Sequence, residues 1–176
     1  MDLEHKFCKL GSDVTVTDGT VISGYASLFG RKDQGGDSVA KGAYDASLKC
    51  DRSIKMLWQH DPAQPIGVWD EVRADETGLW VKGRILTDVA KGKEAAALIA
   101  AGAIDGLSIG YRTVTATKDD AGGRLLSELE LWEVSLVTFP MLPDARVAAK
   151  GDDPDASIMQ ELATVFEEAR DALTSE

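Results

Sequence analysis

Leu129-Glu130-Leu131-Trp132-Glu133-Val134-Ser135-Leu136-Val137-Thr138-Phe139 closes a strand-like run that begins at Arg124. Apolar and polar residues alternate along it, the pattern of a chain with one buried face. The whole run is too long for one straight strand, so a bend or bulge is expected near Trp132-Glu133. Because successive strand side chains point to opposite sides, Leu129, Leu131, Glu133, Ser135 and Val137 share a face. A carboxylate on that apolar face must be paired or hydrogen-bonded. An imidazole N–H would satisfy Glu133. So would one of the 19 basic residues, or exposure at the bend. Glu128 and Glu130 fall on the other face and read as solvated.

The segments upstream tell a similar story. Residues 14–17 and 21–29 read as strands, with Asp18-Gly19 as the hairpin turn between them. Residues 30–39 form a loop and 42–48 a short helix. Residues 54–59 read as a strand that delivers His60 at its end, with Pro62 and Pro65 turning the chain. Residues 68–74 and 79–85 form a second hairpin across Asp75-Glu76-Thr77-Gly78. Thr87 or Asp88 can cap a helix running through 93–100, and Gly102 ends it. Residues 107–114 form a strand carrying Ser108, and 119–123 a polar turn. Past Ala149, Lys150-Gly151-Asp152-Asp153-Pro154 reads as a linker. An amphipathic helix then starts at Asp155, with Ile158, Leu162, Val165, Ala169 and Leu173 near helical spacing. The expected organisation is an N-terminal extension over 1–12, one domain over 13–148, and a linker with helix over 149–176. The fold class is mainly β with α (α+β): a closed or nearly closed β-barrel surrounded by short helices. Strand–helix alternation is too sparse for a doubly wound sheet.

Composition narrows the function. A chain of 176 residues argues for one domain with an appended element, and 44% apolar residues suffice for a core. A net charge of −11 disfavours direct nucleic-acid binding. No stretch is long and apolar enough for a bilayer, and the first residues lack a signal-peptide core. Cys8 and Cys50 have no metal-binding or redox spacing, which fits a soluble protein of a reducing cytoplasm.

Gly106-Leu107-Ser108-Ile109-Gly110 has the form G-x-S-x-G. A nucleophile elbow needs a strand before the serine, a helix after it and a later histidine. Here the order of helix and strand is reversed and no histidine follows His60, so the elbow is rejected. The plainer account is a strand start with glycines placed for close packing. A serine hydroxyl needs a base, most often imidazole. The chain has two histidines, His5 and His60. His5 lies in a polar N-terminal stretch expected to fray. The His60-Asp61 pair also invites a metal site, which would need more ligands than two histidines supply. A structural imidazole at a strand end is the bland account of His60. A base, a nucleophile and an orienting carboxylate are nonetheless the parts of a serine-hydrolase triad, here in the order His, Ser, Glu. The residues alone leave a hydrolase and a non-catalytic barrel both open.

In order, Gly24-Tyr25-Ala26-Ser27-Leu28-Phe29, Asp37 with Gly42-Ala43-Tyr44, and Leu57-Trp58-Gln59-His60-Asp61 with Pro65-Ile66-Gly67 lead the chain. Gly78-Leu79-Trp80-Val81, Gly106-Leu107-Ser108-Ile109-Gly110-Tyr111 and Glu133-Val134-Ser135-Leu136-Val137-Thr138-Phe139-Pro140 follow. With these pieces the chain resembles the prohead maturation proteases of tailed bacteriophages, serine peptidases distantly akin to the herpesvirus assemblins. The resemblance spans roughly residues 24–147. It implies a herpes-protease-like barrel, with Ser108 as nucleophile, His60 as base and Glu133 as third member. Related proteases use a second histidine in that last place, and this chain has none to spare. It also implies a serine endopeptidase without cofactor or metal, working in the host bacterial cytoplasm inside the immature capsid. Its substrates would be the scaffold or the scaffolding segment of the major capsid protein, and itself. Neither nucleic acid nor membrane is an expected partner, while self-association as a dimer is. The C-terminal helix would be a targeting or dimer contact removed on activation, or a helix docked on the barrel. The competing readings are a non-catalytic capsid-assembly or scaffold-binding module, and an esterase using the same triad.

Overall fold

In the computed structural model, which describes residues 4–7, 15–17, 20–118 and 122–140, the run from Arg124 becomes the strand around which the others gather. The elements in chain order are β1 (Glu4–Phe7), β2 (Thr15–Thr17), β3 (Val21–Leu28), β4 (Ser38–Val39), α1 (Asp45–Lys49) and β5 (Lys55–Trp58). They continue with β6 (Asp61–Ala74), β7 (Gly78–Ile85), α2 (Ala90–Ala100), β8 (Gly106–Lys118) and β9 (Arg124–Val137). The nine strands form one sheet in the order β1-β8-β9-β5-β6-β7-β3-β2, with β4 added parallel to β9. The sheet curls until β3 touches β8, giving the mainly β, nearly closed barrel expected from the sequence. The ends β1 and β2 do not pair in that order.

Most neighbours are antiparallel hairpin partners, but β5 runs parallel to β9, with Lys55 opposite Glu133 and Leu57 opposite Ser135. On its other side β9 pairs antiparallel with β8, placing Ser108 opposite Ser135 and Gly110 opposite Glu133. The expected irregularity near Trp132 is present: Gly110 faces Glu133 while Tyr111 faces Leu131, so Trp132 is one residue extra on β9. On this bulge the Trp132 ring lies under two guanidinium groups, Arg52 at 4.1 Å and Arg112 at 5.6 Å from its centroid. Glu130 bridges the same two arginines, and the Arg52 hydrogen bond holds its carboxyl below the ordinary carboxylate range.

The core is mainly apolar. Ile22, Met56, Leu79, Leu107, Ile109, Leu129, Leu131, Val134 and Leu136 are buried, each contributing about 1.5–3 kcal/mol relative to exposure. In β8 and β9, residues 106–111 and 133–137 are buried on both faces, so alternation disappears there. Helix α1 is pinned to β9 where the Leu131 N–H donates to Ser47 Oγ at 2.7 Å. Trp69 of β6 reaches over β5 to donate its Nε1–H to the Val134 carbonyl, at 3.2 Å. Helix α2 ends as expected: Gly102 adopts φ +68° and the Ala103 N–H closes onto the Leu98 carbonyl.

Three local expectations fail. Residues 62 and 65 do not turn the chain, because both prolines lie within β6. Pairing of β5 with β6 jumps from Leu57–Pro65 to Trp58–Asp61, and an irregular ladder is where a residue without an N–H is tolerated. The turn sits earlier, at Gln59-His60. Neither Thr87 nor Asp88 caps α2; its N-cap is Val89, with no side-chain capping bond. Finally, Glu4–Phe7, expected to fray, pair with β8, since backbone ladder bonds do not require an apolar sequence. The expected linker and helix over 149–176, and the turn residues Asp18 and Gly19, lie outside the described residues.

The β6–β7 turn shows how sequence chemistry secures the barrel. Asp75 Oδ1 accepts from the backbone N–H groups of Thr77 and Gly78, at 2.8 and 3.0 Å. Its Oδ2 accepts from the Tyr25 hydroxyl of β3 at 2.7 Å and from Arg73 at 3.1 Å. Burial works to raise the Asp75 carboxyl, but the bonds from Tyr25, Gly78 and Thr77, with the Arg73 charge, leave it below its ordinary value. Asp75→Ala is expected to lower stability by about 1–3 kcal/mol in urea titrations at neutral pH. A carboxyl lowered by folding stabilises fully above its unfolded value, near ~3.9, and loses that effect as pH falls through the lower folded value. The gap between wild type and variant should therefore close in acid. A gap that widens below pH 4 would contradict the assignment.

Candidate active site

Every backbone dihedral φ of a non-glycine residue that is positive among the described residues belongs to two neighbours, Gln59 at +51° and His60 at +62°. They are the two-residue loop between Trp58 and Asp61, the pattern of a type I′ hairpin turn. Asn-Gly is the usual choice there, and a left-handed residue with a side chain costs about 1–3 kcal/mol. The surroundings hold the strained turn in place. The Gln59 N–H donates to the Leu136 carbonyl at 2.9 Å, and the Gln59 side-chain amide donates to Thr138 Oγ1 at 2.7 Å. The His60 N–H donates to Ser135 Oγ at 3.2 Å. Three anchors on or just past β9 thus aim one imidazole.

The imidazole meets the two other candidates picked out in the sequence. Ser108 Oγ lies 2.7 Å from His60 Nε2, and His60 Nδ1 lies 2.5 Å from Glu133 Oε1. A carboxylate on Nδ1 fixes the tautomer with the proton on that nitrogen, leaving Nε2 free to accept from the serine. Ser108 and Glu133 are buried, and the His60 side chain keeps 11% of its surface exposed. The other histidine, His5, is on β1 opposite Gly110.

Two residues of the site escaped the sequence reading. Ser135 is buried and donates its hydroxyl to Glu133 Oε2 at 2.5 Å while accepting from the His60 backbone, so one hydroxyl links carboxylate and turn. Its signal was a second polar residue beside Glu133 on an apolar face. Gly110 matters for what it lacks: a Cβ there would fall on Glu133 Oε1 and stand 2.7 Å from Cδ and 2.8 Å from Cγ. The second glycine of G-x-S-x-G therefore makes room for the carboxylate. Arg112, two residues past Gly110, is engaged with Glu130 and Trp132.

The family model described as caudovirus prohead serine protease matches residues 9–158. The chain belongs to that family. Among curated relatives of this prohead protease family member, the prohead protease of Enterobacteria phage HK97 is 32% identical over 136 residues, covering 73% of this chain. The prohead protease of Escherichia phage T5 is 30% identical over 128 residues, covering 70% of this chain. The chain spans 59% and 60% of the lengths of these two relatives. The solved bacteriophage T4 capsid assembly protease, gp21, superposes with a TM-score of 0.63 at 17% identity, over 78% of this chain and 98% of that one. The prohead protease family member and the T4 protein thus share a fold.

Proposed function

We propose that this chain is a serine endopeptidase of prohead maturation, with Ser108 as nucleophile, His60 as general base and acid, and Glu133 as the group that orients and charges the imidazole. The observation that carries the reading is the unbroken line of two hydrogen bonds from Ser108 Oγ through His60 to Glu133, at 2.7 and 2.5 Å. As Ser108 Oγ attacks a peptide carbonyl, its proton passes to His60 Nε2. Glu133 stabilises the imidazolium, which then protonates the leaving amine. Water then attacks the acyl carbon while giving a proton to His60, and as the bond from Ser108 Oγ to that carbon breaks, His60 returns the proton to Ser108 Oγ and the acid leaves. Family membership supports a substrate drawn from the assembling capsid: the scaffold, or the scaffolding segment of the major capsid protein. The same membership supports self-cleavage and work inside the immature shell.

Co-expression with the matching major capsid protein tests this, with intact-mass spectrometry of both chains. Wild type should shorten the capsid protein and itself. A capsid protein left whole by wild type, or cut equally by Ser108→Ala, would end the proposal.

Ser135 is expected to act as a positioning residue in this scheme. Ser135→Ala removes a donor from a buried carboxylate and an acceptor from the strained turn, so kcat should fall about tenfold with little change in KM. Kinetics on a capsid-derived peptide would show it. A pure loss of folded protein would instead scale with active-site titre and leave turnover per titrated site unchanged.

A further inference from the structure

We propose, resting on the catalytic reading above, that the cationic cluster of Arg52, Lys55 and Arg112 around Trp132 is a specificity subsite. It takes an acidic side chain of the substrate, roughly three to five residues from the scissile bond. The spacing comes from the strand. Ser108, Gly110 and Arg112 follow one another on one face of β8, while Leu107, Ile109 and Tyr111 fill the core from the other. At about 3.3 Å per residue, Arg112 lies roughly 13 Å along β8 from the proposed nucleophile. An extended substrate with its carbonyl at Ser108 covers that length in about four residues. The bulge brings the partners to the same face. Trp132 is the extra residue of β9, so alternation reverses there: Leu131 turns into the core opposite Tyr111, and Glu130, opposite Arg112, joins the side of Glu133. On β5, Lys55 stands opposite Glu133.

The cluster holds more positive charge than its own carboxylate answers. Glu130 Oε1 takes Arg52 at 2.6 Å, but Oε2 takes Arg112 only at 3.4 Å. Lys55 is exposed and makes no ion pair among the described residues. Asp51, beside Arg52 in the chain, is exposed and pairs with none of these cations, and Glu128 is bonded to Thr115 further along the hairpin. Such a surplus is unexpected on a chain of net charge −11. The Trp132 ring beneath both guanidinium groups fixes their planes, which leaves N–H donors ordered for a second carboxylate. Room lies beside them. Arg52 forms part of the wall of a cavity of about 150 Å³, together with Leu48, Ile54, Trp69 and Val72. Apolar walls with a cation at the rim suit a side chain of methylene groups ending in a carboxylate.

The test uses the full chain and a peptide spanning the cleavage site that co-expression maps in the capsid protein. Each residue roughly three to five positions from the scissile bond, on either side, is set in turn to Glu and to Gln. In wild type, kcat/KM for the Glu peptide should exceed that for its Gln twin about fivefold or more at one of these positions. In the variant combining Arg52→Gln with Arg112→Gln, that ratio should fall to about one. Loss of folded enzyme cancels from the ratio, so a purely structural role for the arginines would not move it. Ratios near one throughout in wild type would overturn the proposal, as would a Glu preference that survives in the double variant. Should the double variant not fold, Lys55→Gln at its exposed site gives the same reading. There the ratio should fall about twofold, and an unchanged ratio would overturn the subsite. A wild type whose Ser108 takes no fluorophosphonate label would overturn the catalytic reading, and this one with it.

Discussion

Replacing Ser108 with alanine is expected to lower peptide cleavage by about four to six orders of magnitude, with the fold unchanged. The estimate follows from what one oxygen does in the scheme: it forms the acyl bond, and nothing else in the line can. Ser108 Oγ is 2.7 Å from an imidazole already held by Glu133, so the wild-type hydroxyl needs little rearrangement to give up its proton. Deleting one buried hydroxyl that accepts no strain-bearing role should leave the urea midpoint within a fraction of a molar. His60→Ala and Glu133→Gln should each impair the same step. Combining either with Ser108→Ala should add almost nothing, because groups that act as a unit are lost as a unit. Single-turnover assays on a capsid-derived peptide would decide. A further hundredfold loss in the double variant would mean that His60 serves a reaction that does not pass through Ser108.

The second large effect is expected at Gly110. An alanine methyl there would overlap Glu133 Oε1 and crowd the two carbons behind it. Glu133 has nowhere cheap to go, since one oxygen is held by His60 and the other by Ser135. Either the β8–β9 pairing opens or the carboxylate swings away from the imidazole. The first outcome costs about 1–3 kcal/mol of stability, as overpacking of a filled core does. The second misplaces the base, for which about a hundredfold loss in kcat is a fair expectation. Gly110→Ala should show both, read from denaturant titration and from turnover per folded molecule. Wild-type turnover in the variant would show that the carboxylate position is irrelevant to rate.

Much of this was legible in one dimension because the signals were local. The Asp75-to-Gly78 connection carries its own turn chemistry, and Gly102 supplies the left-handed cap that α2 uses. The length of the run from Arg124 demanded an irregularity, found at Trp132. Glu133 stood out because a carboxylate on an apolar face needs a partner. What stayed hidden depends on partners distant in sequence. Gln-His has none of the residues that favour a type I′ turn, and only the anchors on β9 force that shape on it. Pro62 and Pro65 read as breakers because the ladder around them is irregular in a way no local pattern discloses. Gly110 and Ser135 meet Glu133 through register and strand position, and β1 forms through a ladder of backbone bonds that says nothing about side-chain type.

The position of β9 has a consequence for timing. It is the latest of the described strands to leave the ribosome, yet it lies between the strand bearing residue 108 and the one leading to residue 60. While translation is under way, alcohol and imidazole belong to pieces of sheet with a gap where their connector will go. In the proposed scheme, a polypeptide cut short before residue 133 is therefore expected to lack the carboxylate that orients the imidazole, and to be inert.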